Sequence, residues 1–175
     1  GYNPCLVAKR ASGDHRQTRW SVHLLGDYSG IALWNGSQVA TFRSAAGNLE
    51  KGRWYFLAVV AGENGTMVYL NGVPCLSEDT TWRINQAEVK RPLNIASSQP
   101  HGAELFHGDI CQLAIFAGTL DQESIEAHAD ALGFRQERLA LRGRYEEVLR
   151  DRKAREAQLA ELREKRRREL MEDPA

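Results

Sequence analysis

The sequence predicts a mainly β protein, an antiparallel β-sandwich followed by two helices. Short segments before residue 119 alternate apolar and polar side chains, which is typical of strands that bury one face. Turn dipeptides such as Asn35-Gly36 and Asn71-Gly72 separate these segments about every 10 residues, as in all-β sandwiches. Beyond residue 143 glycine is absent and helix-forming residues predominate.

The clearest strand signal lies in residues 53–72. Residues 54–60 are apolar on both faces, so we expect a central strand of a sheet. Residues 63–65 (Glu-Asn-Gly) offer the left-handed backbone that a tight hairpin needs. Residues 66–70 then return with alternating side chains, which predicts the second strand of the hairpin.

The same alternation predicts the remaining strands. They span residues 5–9, 19–25, 28–34, 39–43, 73–76, 92–97 and 108–116. The long polar connection between residues 77 and 91 carries Trp82 and Ile84, which we expect to plug the core.

A short helix is predicted to begin near Thr119 and to end before Gly133. Asp121 or Thr119 caps it, because a short side chain at this position accepts a hydrogen bond from a free backbone N–H. We expect four residues to form its inner face: Ile125, His128, Ala129 and Leu132.

Charge divides the chain into two parts. Residues 1–134 hold 10 Lys and Arg against 13 Asp and Glu, whereas residues 135–175 hold 13 against 10. Neither part is basic enough to predict nucleic-acid binding, and no apolar run approaches the roughly 18 residues that a membrane helix needs. We therefore predict a sandwich domain over residues 1–134 and a charged helical connector over residues 135–175.

The connector carries apolar residues at alternating four- and three-residue steps: Leu141, Tyr145, Val148, Leu159 and Leu162. Arg152, Arg155 and Arg166 fall in the same series, where a stable coiled-coil seam would have apolar residues. We expect a long, exposed helix that stands outside the sandwich and packs on an adjoining domain. Acidic residues around the basic run 163–168 argue against nucleic acid as the partner.

Cys5, Cys75 and Cys111 make an odd count without zinc-site spacing. Each lies in an apolar strand segment, where a thiol packs as a small hydrophobic group. A disulfide between Cys5 and Cys111 is the alternative in an exporting compartment.

Eight segments between residues 4 and 133, taken in order, resemble laminin G-like domains of the concanavalin A-like lectin/glucanase type. They read LVAK, RWSVHL, IALWNG, GRWYFLAVV, YLNG, PLNIAS, GDICQLAIF and LDQESIEAH. Cys111 and Ala96 stand where such domains commonly have Asp and Gly. The resemblance implies a jelly roll that lacks its first strands, so we expect the natural polypeptide to extend upstream and residues 1–134 alone to be poorly soluble.

The resemblance also implies a binding module for carbohydrate or for a partner protein domain. The candidate ligand-binding residues are aromatic or turn amides: Tyr28, Trp34, Asn35, Asn71 and Trp82. Calcium sometimes lies near such a rim in the family, but no clear calcium motif is present, and we predict no cofactor. The paired strand carboxylates of related glycanases are missing, as is a Gly-x-Ser-x-Gly motif, and the histidines are scattered, which argues against catalysis.

The amino-acid sequences of these segments are similar to those of domains inserted in large exported bacterial proteins of the planctomycete type. This similarity implies a place outside the cytoplasm, periplasmic or secreted. A structural spacer in a multidomain, cytochrome c-associated enzyme is the alternative role.

Overall fold

The computed structural model describes residues 3–10, 18–77, 81–86, 89–99 and 102–172. Five antiparallel strands form the larger sheet: β1 (Cys5–Arg10), β2 (Thr18–Leu24), β3 (Gly30–Trp34), β4 (Val39–Arg43) and β8 (Asn94–Ile95). Their order across the sheet is β4-β3-β2-β1-β8. A smaller sheet contains β5 (Leu57–Gly62), β6 (Gly65–Leu70) and β7 (Val73–Pro74), in that order.

The two sheets meet through a shared apolar core. Ile31, Leu33 and Phe42 from the larger sheet are buried in one cluster with Val68 and Leu70 from the smaller sheet. Burying large aliphatic and aromatic side chains of this kind stabilises the fold by about 1.5–3 kcal/mol each. The predicted antiparallel β-sandwich followed by a helix is confirmed.

The segment that crosses between the sheets contributes to this core, as predicted. Trp82 is buried in the cluster, and Ile84 packs against it. The Trp82 carbonyl accepts a hydrogen bond of 2.7 Å from the buried hydroxyl of Thr66. This contact fixes the crossing segment on β6.

Two strand predictions are wrong. Residues 108–116 are exposed and form no strand, although their sequence alternates, and they do not pair with any strand of the described chain. The segment predicted as central, residues 54–60, begins its strand only at Leu57, and β5 is an edge strand of the smaller sheet. Every residue of β5 is half-buried, which is the burial expected of an edge strand.

Two helices close the described chain: α1 (Gln122–Ala131) and α2 (Arg135–Glu172). Asp121 caps α1 through a 2.8 Å hydrogen bond from the backbone N–H of Ser124. The Ser124 hydroxyl, together with this backbone bond, lowers the pKa of Asp121. Ile125 and Ala129 are buried as predicted. The prediction for His128 and Leu132 is wrong, because both are exposed.

Two guanidinium groups of α2 join it to α1: that of Arg142, which donates a 2.5 Å hydrogen bond to Glu126, and that of Arg138. Arg138 of α2 donates two hydrogen bonds of 2.7 Å to the carboxylate of Asp130 and one of 2.9 Å to Glu126. The Arg138 side chain also crosses Gly72, where a Cβ would lie 2.7 Å from its Cδ. Since Gly72 has φ +81° as well, both the turn conformation and the close approach require glycine.

The start of α2 belongs to the body. Leu141 is buried in the core cluster, and Tyr145 packs against it. The expectation of a helix wholly outside the sandwich is therefore wrong for its first three turns. The remainder agrees with that expectation, because every described side chain from Arg150 onward is exposed.

The cysteines differ in burial. Cys5 and Cys75 are buried, and burial raises the pKa of each thiol to about 12. Cys111 is exposed, so the expectation that it packs in a strand is wrong. All three are free thiols, and the alternative disulfide between Cys5 and Cys111 is not formed.

Thiol modification checks this difference. At mildly alkaline pH we expect an aromatic disulfide reagent to modify one thiol of the folded, reduced chain and all three thiols of the denatured chain, because only Cys111 is exposed. Cys111→Ser should abolish the reaction of the folded chain. Rapid modification of Cys5 or Cys75 in that variant would contradict the burial described here.

Replacing a leucine on either half of α2 tests its docking. Leu141→Ala should lower the free energy of unfolding by about 2–4 kcal/mol, because Leu141 is buried in the core. Leu159→Ala on the exposed half should change it by no more than about 0.5 kcal/mol. Equal effects in urea denaturation would show that the start of α2 does not pack on the body.

Candidate ligand-binding surface

The register of the larger sheet aligns one row of side chains on its outer face. Ile31 and Leu33 point into the core, so Ala32 and Trp34 point away from it. Cα pairing places Trp34 opposite Ser21 of β2 and Val39 of β4. Val39 is 60% exposed and Ser21 is buried, so the row is open at the β4 edge and covered toward β1.

Trp34 is held in place by a cation. The Arg10 guanidinium carbon lies 5.6 Å from the centroid of the Trp34 ring, a distance typical of a cation–π contact. Arg10 is buried and forms a 3.3 Å ion pair with Glu104. The Trp34 ring is half-buried, so it presents an accessible aromatic surface on a fixed support.

Behind Trp34 the covered part of the outer face contains a polar cluster. The Nε2 atom of His23 lies 2.8 Å from the Ser21 hydroxyl, and its Nδ1 atom lies 3.2 Å from the Asn3 carbonyl. Burial lowers the pKa of His23. The Asn3 contact and the charge of Glu104 oppose this shift, and the charge of Arg10 adds to it.

Tyr28 lies at the opposite end of β3, in the turn from β2, and has φ +58°. Its ring packs partly on the core, and the Lys51 ammonium lies 5.3 Å from the ring centroid. Beside it, Ser29 donates hydrogen bonds of 2.7 and 3.0 Å to Asp27, which lower the pKa of that carboxyl to about 2. Arg43 completes the turn with a 3.3 Å contact to Asp27.

Tyr28 and Trp34 cannot contact the same small ligand. Trp34 ends β3 and Tyr28 lies in the turn before it, so the length of this five-residue strand, about 16 Å, lies between them. They therefore mark two different edges of the domain.

The other three candidates have structural contacts. The side chain of Asn35 donates to the Arg83 carbonyl at 2.8 Å and accepts from the Gln38 N–H at 2.8 Å. Asn71, with φ +49°, accepts a 2.8 Å hydrogen bond from the Phe56 N–H. Both amides are buried, and Trp82 is part of the core, so these three side chains are engaged in turns and packing.

An apolar groove of about 370 Å³ opens beside β1 and β2. Its lining combines two cations with apolar side chains: Lys9, Arg19, Trp20, Ile84, Leu93 and Ile115. Ile115 belongs to the exposed segment 108–116, so this segment borders one side of the groove.

Across the described ranges of the chain, no group of three or more His, Cys, Asp or Glu side chains is placed to hold a metal ion. None of the described helices combines the length and the apolar character that crossing a bilayer requires.

Sequence reasoning missed Arg10 as the support of Trp34. The predicted first strand ended one residue earlier, at Lys9, and irregular pairing between Lys9 and Arg10 breaks the alternation that would have assigned Arg10 to the outer face. Lys51, which lies over Tyr28, comes from a loop and carries no signal in the sequence.

Comparison with known proteins identifies the fold family. A laminin G family model, described as concanavalin A-like lectin/glucanases superfamily, matches residues 1–126. The chain belongs to this superfamily. The match ends inside α1, so all of α2 lies outside the region that defines this concanavalin A-like domain.

One solved structure is similar to the concanavalin A-like chain. It is the crystal structure of residues 221–444 of an S-layer domain-containing protein from Clostridium thermocellum, at 20% sequence identity and a TM-score of 0.41. The match covers 72% of this chain and 62% of the length of that chain. No significant match was found among curated proteins.

The buried His23 gives the concanavalin A-like domain a pH-dependent stability. Because the folded pKa of His23 lies below its ordinary value of 6.5, the unfolded chain binds a proton that the folded chain does not. We expect the free energy of unfolding to be highest above pH 6.5 and to fall as the pH decreases toward 5, by at most about 1.4 kcal/mol per pH unit.

Urea denaturation at several pH values measures this slope. His23→Gln should flatten it, whereas His107→Gln, at an exposed position, should leave it unchanged. An unaltered slope in His23→Gln would exclude His23 as its source.

Proposed function

We propose that this domain is a non-catalytic recognition module that binds carbohydrate on the outer face of its larger sheet, at Trp34. The observation that carries this proposal is the half-buried Trp34 ring, which Arg10 supports at 5.6 Å and which lies next to the exposed Val39. Membership in a superfamily of lectins and glucanases supports the same ligand class.

The physical basis is stacking on a preorganised ring. The apolar face of a pyranose packs against an aromatic ring, while its hydroxyl groups need polar partners nearby. The cation beneath Trp34 and the sheet around it restrict the ring before the ligand arrives, so little conformational entropy is lost on binding. A sheet face also suits an extended chain of sugars better than a deep pocket does.

We propose no catalytic role for this chain. Glycoside hydrolysis needs two carboxyl groups that face one sugar ring from a shared site. Three carboxylates of the sandwich are engaged in ion pairs instead, Glu104 with Arg10, Asp27 with Arg43 and Glu50 with Arg53. Such pairing favours structural roles for these acids.

The setting that we propose is a larger multidomain protein outside the cytoplasm, periplasmic or secreted, as the resemblance to inserted laminin G-like domains implies. A protein-binding or spacer role is the second candidate. The observation that favours it is the exposed part of α2, where every described side chain after Leu149 is exposed. A helix of this length, free of the body, is suited to contact a neighbouring domain.

A glycan array with the complete chain tests the carbohydrate proposal. We expect binding to a limited set of oligosaccharides, weakened at least about tenfold in Trp34→Ala, which corresponds to the loss of about 1.4 kcal/mol of stacking. Trp54→Ala is the matched control, since Trp54 is 58% exposed but precedes the smaller sheet.

Three outcomes would contradict it. They are an absence of glycan binding, an equal loss in both tryptophan variants, and release of sugars from a polysaccharide. Binding to protein domains alone would assign the chain to the second candidate role.

A further inference from the structure

One apolar stripe of α2 starts on the body and continues beyond it. Leu141 is buried, Tyr145 packs on the core, and Val148 is half-buried. Leu159 and Leu162 fall on the same helix face by alternating steps of four and three residues, yet they are 52% and 55% exposed. On the exposed half of the helix, the face that docks on the sandwich thus packs against no other segment that the structure describes.

Arginines interrupt this stripe at defined positions. Arg152 and Arg155 occupy the two steps between Val148 and Leu159, and Arg166 occupies the step after Leu162. Arg152 contacts Glu156 of its own helix at 2.9 Å, while Arg155 and Arg166 form no ion pair with any residue that the structure describes. The stripe therefore combines two leucines with cations on one face.

A second copy of the chain fits this face poorly. In a parallel pair each residue of the seam faces its own counterpart, so all three arginines would meet arginines. In the antiparallel pair that sets Leu159 against Leu162, Arg155 would face Arg166 twice, an unfavourable contact that the facing of Arg152 and Glu169 in the same pair only offsets. Like charges at such positions oppose association.

We propose that the stripe formed by Arg152, Arg155, Leu159, Leu162 and Arg166 binds an acidic amphipathic helix of a partner protein. That helix carries leucine-like side chains opposite the two leucines and Glu or Asp opposite the three arginines. Charge complementarity selects such a partner, and the docked half of the stripe shows that this helix face can pack against protein. The proposal does not depend on carbohydrate binding at Trp34.

The rest of the exposed helix favours a protein partner over an anionic surface. Glu156, Glu161, Glu164 and Glu169 are distributed among its basic residues, and Glu164 and Glu169 lie within 3.6 and 3.9 Å of Arg168 and Lys165. A membrane-binding helix instead needs a broad apolar face opposite a cationic one.

A synthetic peptide supplies the probe. It has the sequence of residues 149–172 with Arg152→Glu, Arg155→Glu and Arg166→Glu, so that in a parallel pair acids face the arginines and leucines face leucines. We expect fluorescence anisotropy to show saturable binding to the complete chain that weakens with added salt. The same peptide with the unchanged sequence should not bind.

Variants of the complete chain locate the contact. Reversing the charge at all three stripe positions, with Arg152→Glu, Arg155→Glu and Arg166→Glu, should weaken binding of the acidic peptide at least about tenfold and should create binding of the unchanged peptide. Arg150→Glu, Lys153→Glu and Arg167→Glu together make the same charge change off the stripe. These three should change the affinity by less than about threefold, because only long-range attraction is altered.

Circular dichroism is the control for folding, and we expect both sets of variants to keep the helix content of the original chain. The proposal is overturned if the acidic peptide does not bind, if both sets of variants weaken it equally, or if the charge-reversed chain fails to bind the unchanged peptide. Self-association of the chain in sedimentation would assign the face to a second copy. Tight binding to vesicles containing anionic phospholipid, without binding of the peptide, would assign it to a membrane surface.

Discussion

The pairing of β3 between β2 and β4 is the constraint on which the rest of the domain depends. It places Ile31 opposite Phe42 and Leu33 opposite Ala40, so that these four side chains form one apolar layer. Because side chains alternate along a strand, the same register turns Trp34 and Val39 outward. A slip of one residue would expose the core layer and bury the aromatic platform, so stability and the proposed recognition site share one geometric cause.

The outer face is therefore divided between two tasks. Toward β1 and β8 it is covered by a polar cluster in which Arg10, Glu104, Ser21 and His23 contact neighbours. Toward β4 it is open, and the Arg10 guanidinium that contacts the Trp34 ring also pairs with Glu104. The covered half thus orders the open half and gives the proposed recognition site a rigid support.

Local sequence patterns predicted the strands and helices themselves more reliably than they predicted which of these elements pack against one another. Alternation of apolar and polar side chains predicted nearly every strand. Asn-Gly dipeptides predicted the turns, and a short polar side chain predicted the helix cap at Asp121, since each of these elements depends on residues close in sequence. The strand predicted at residues 108–116 failed because a strand also needs hydrogen-bonding neighbours, and no pattern within a segment reveals whether they are present. The docking of Leu141 was missed for the same reason, since helix periodicity does not show which turns meet the body.

The candidate site was predicted only in part. Aromatic and amide residues could be selected by type, but Asn35, Asn71 and Trp82 proved to have structural contacts, which depend on partners as distant in sequence as Arg83. Trp34 and Tyr28 retain accessible rings because one ends a strand and the other lies in a turn.

The ion pairs of Arg138 with two carboxylates of α1 also determine the orientation of α2. The planar guanidinium meets Asp130 through two parallel bonds and Glu126 through a third, so rotation about any one bond breaks another. A lysine at position 138 would offer a single ammonium group, which would leave the orientation of α2 relative to the sandwich loosely defined. With arginine, the orientation of α2 relative to the sandwich is fixed. A partner bound to the exposed half of α2 would therefore be held at a defined angle to the sandwich as well as at a defined distance from it.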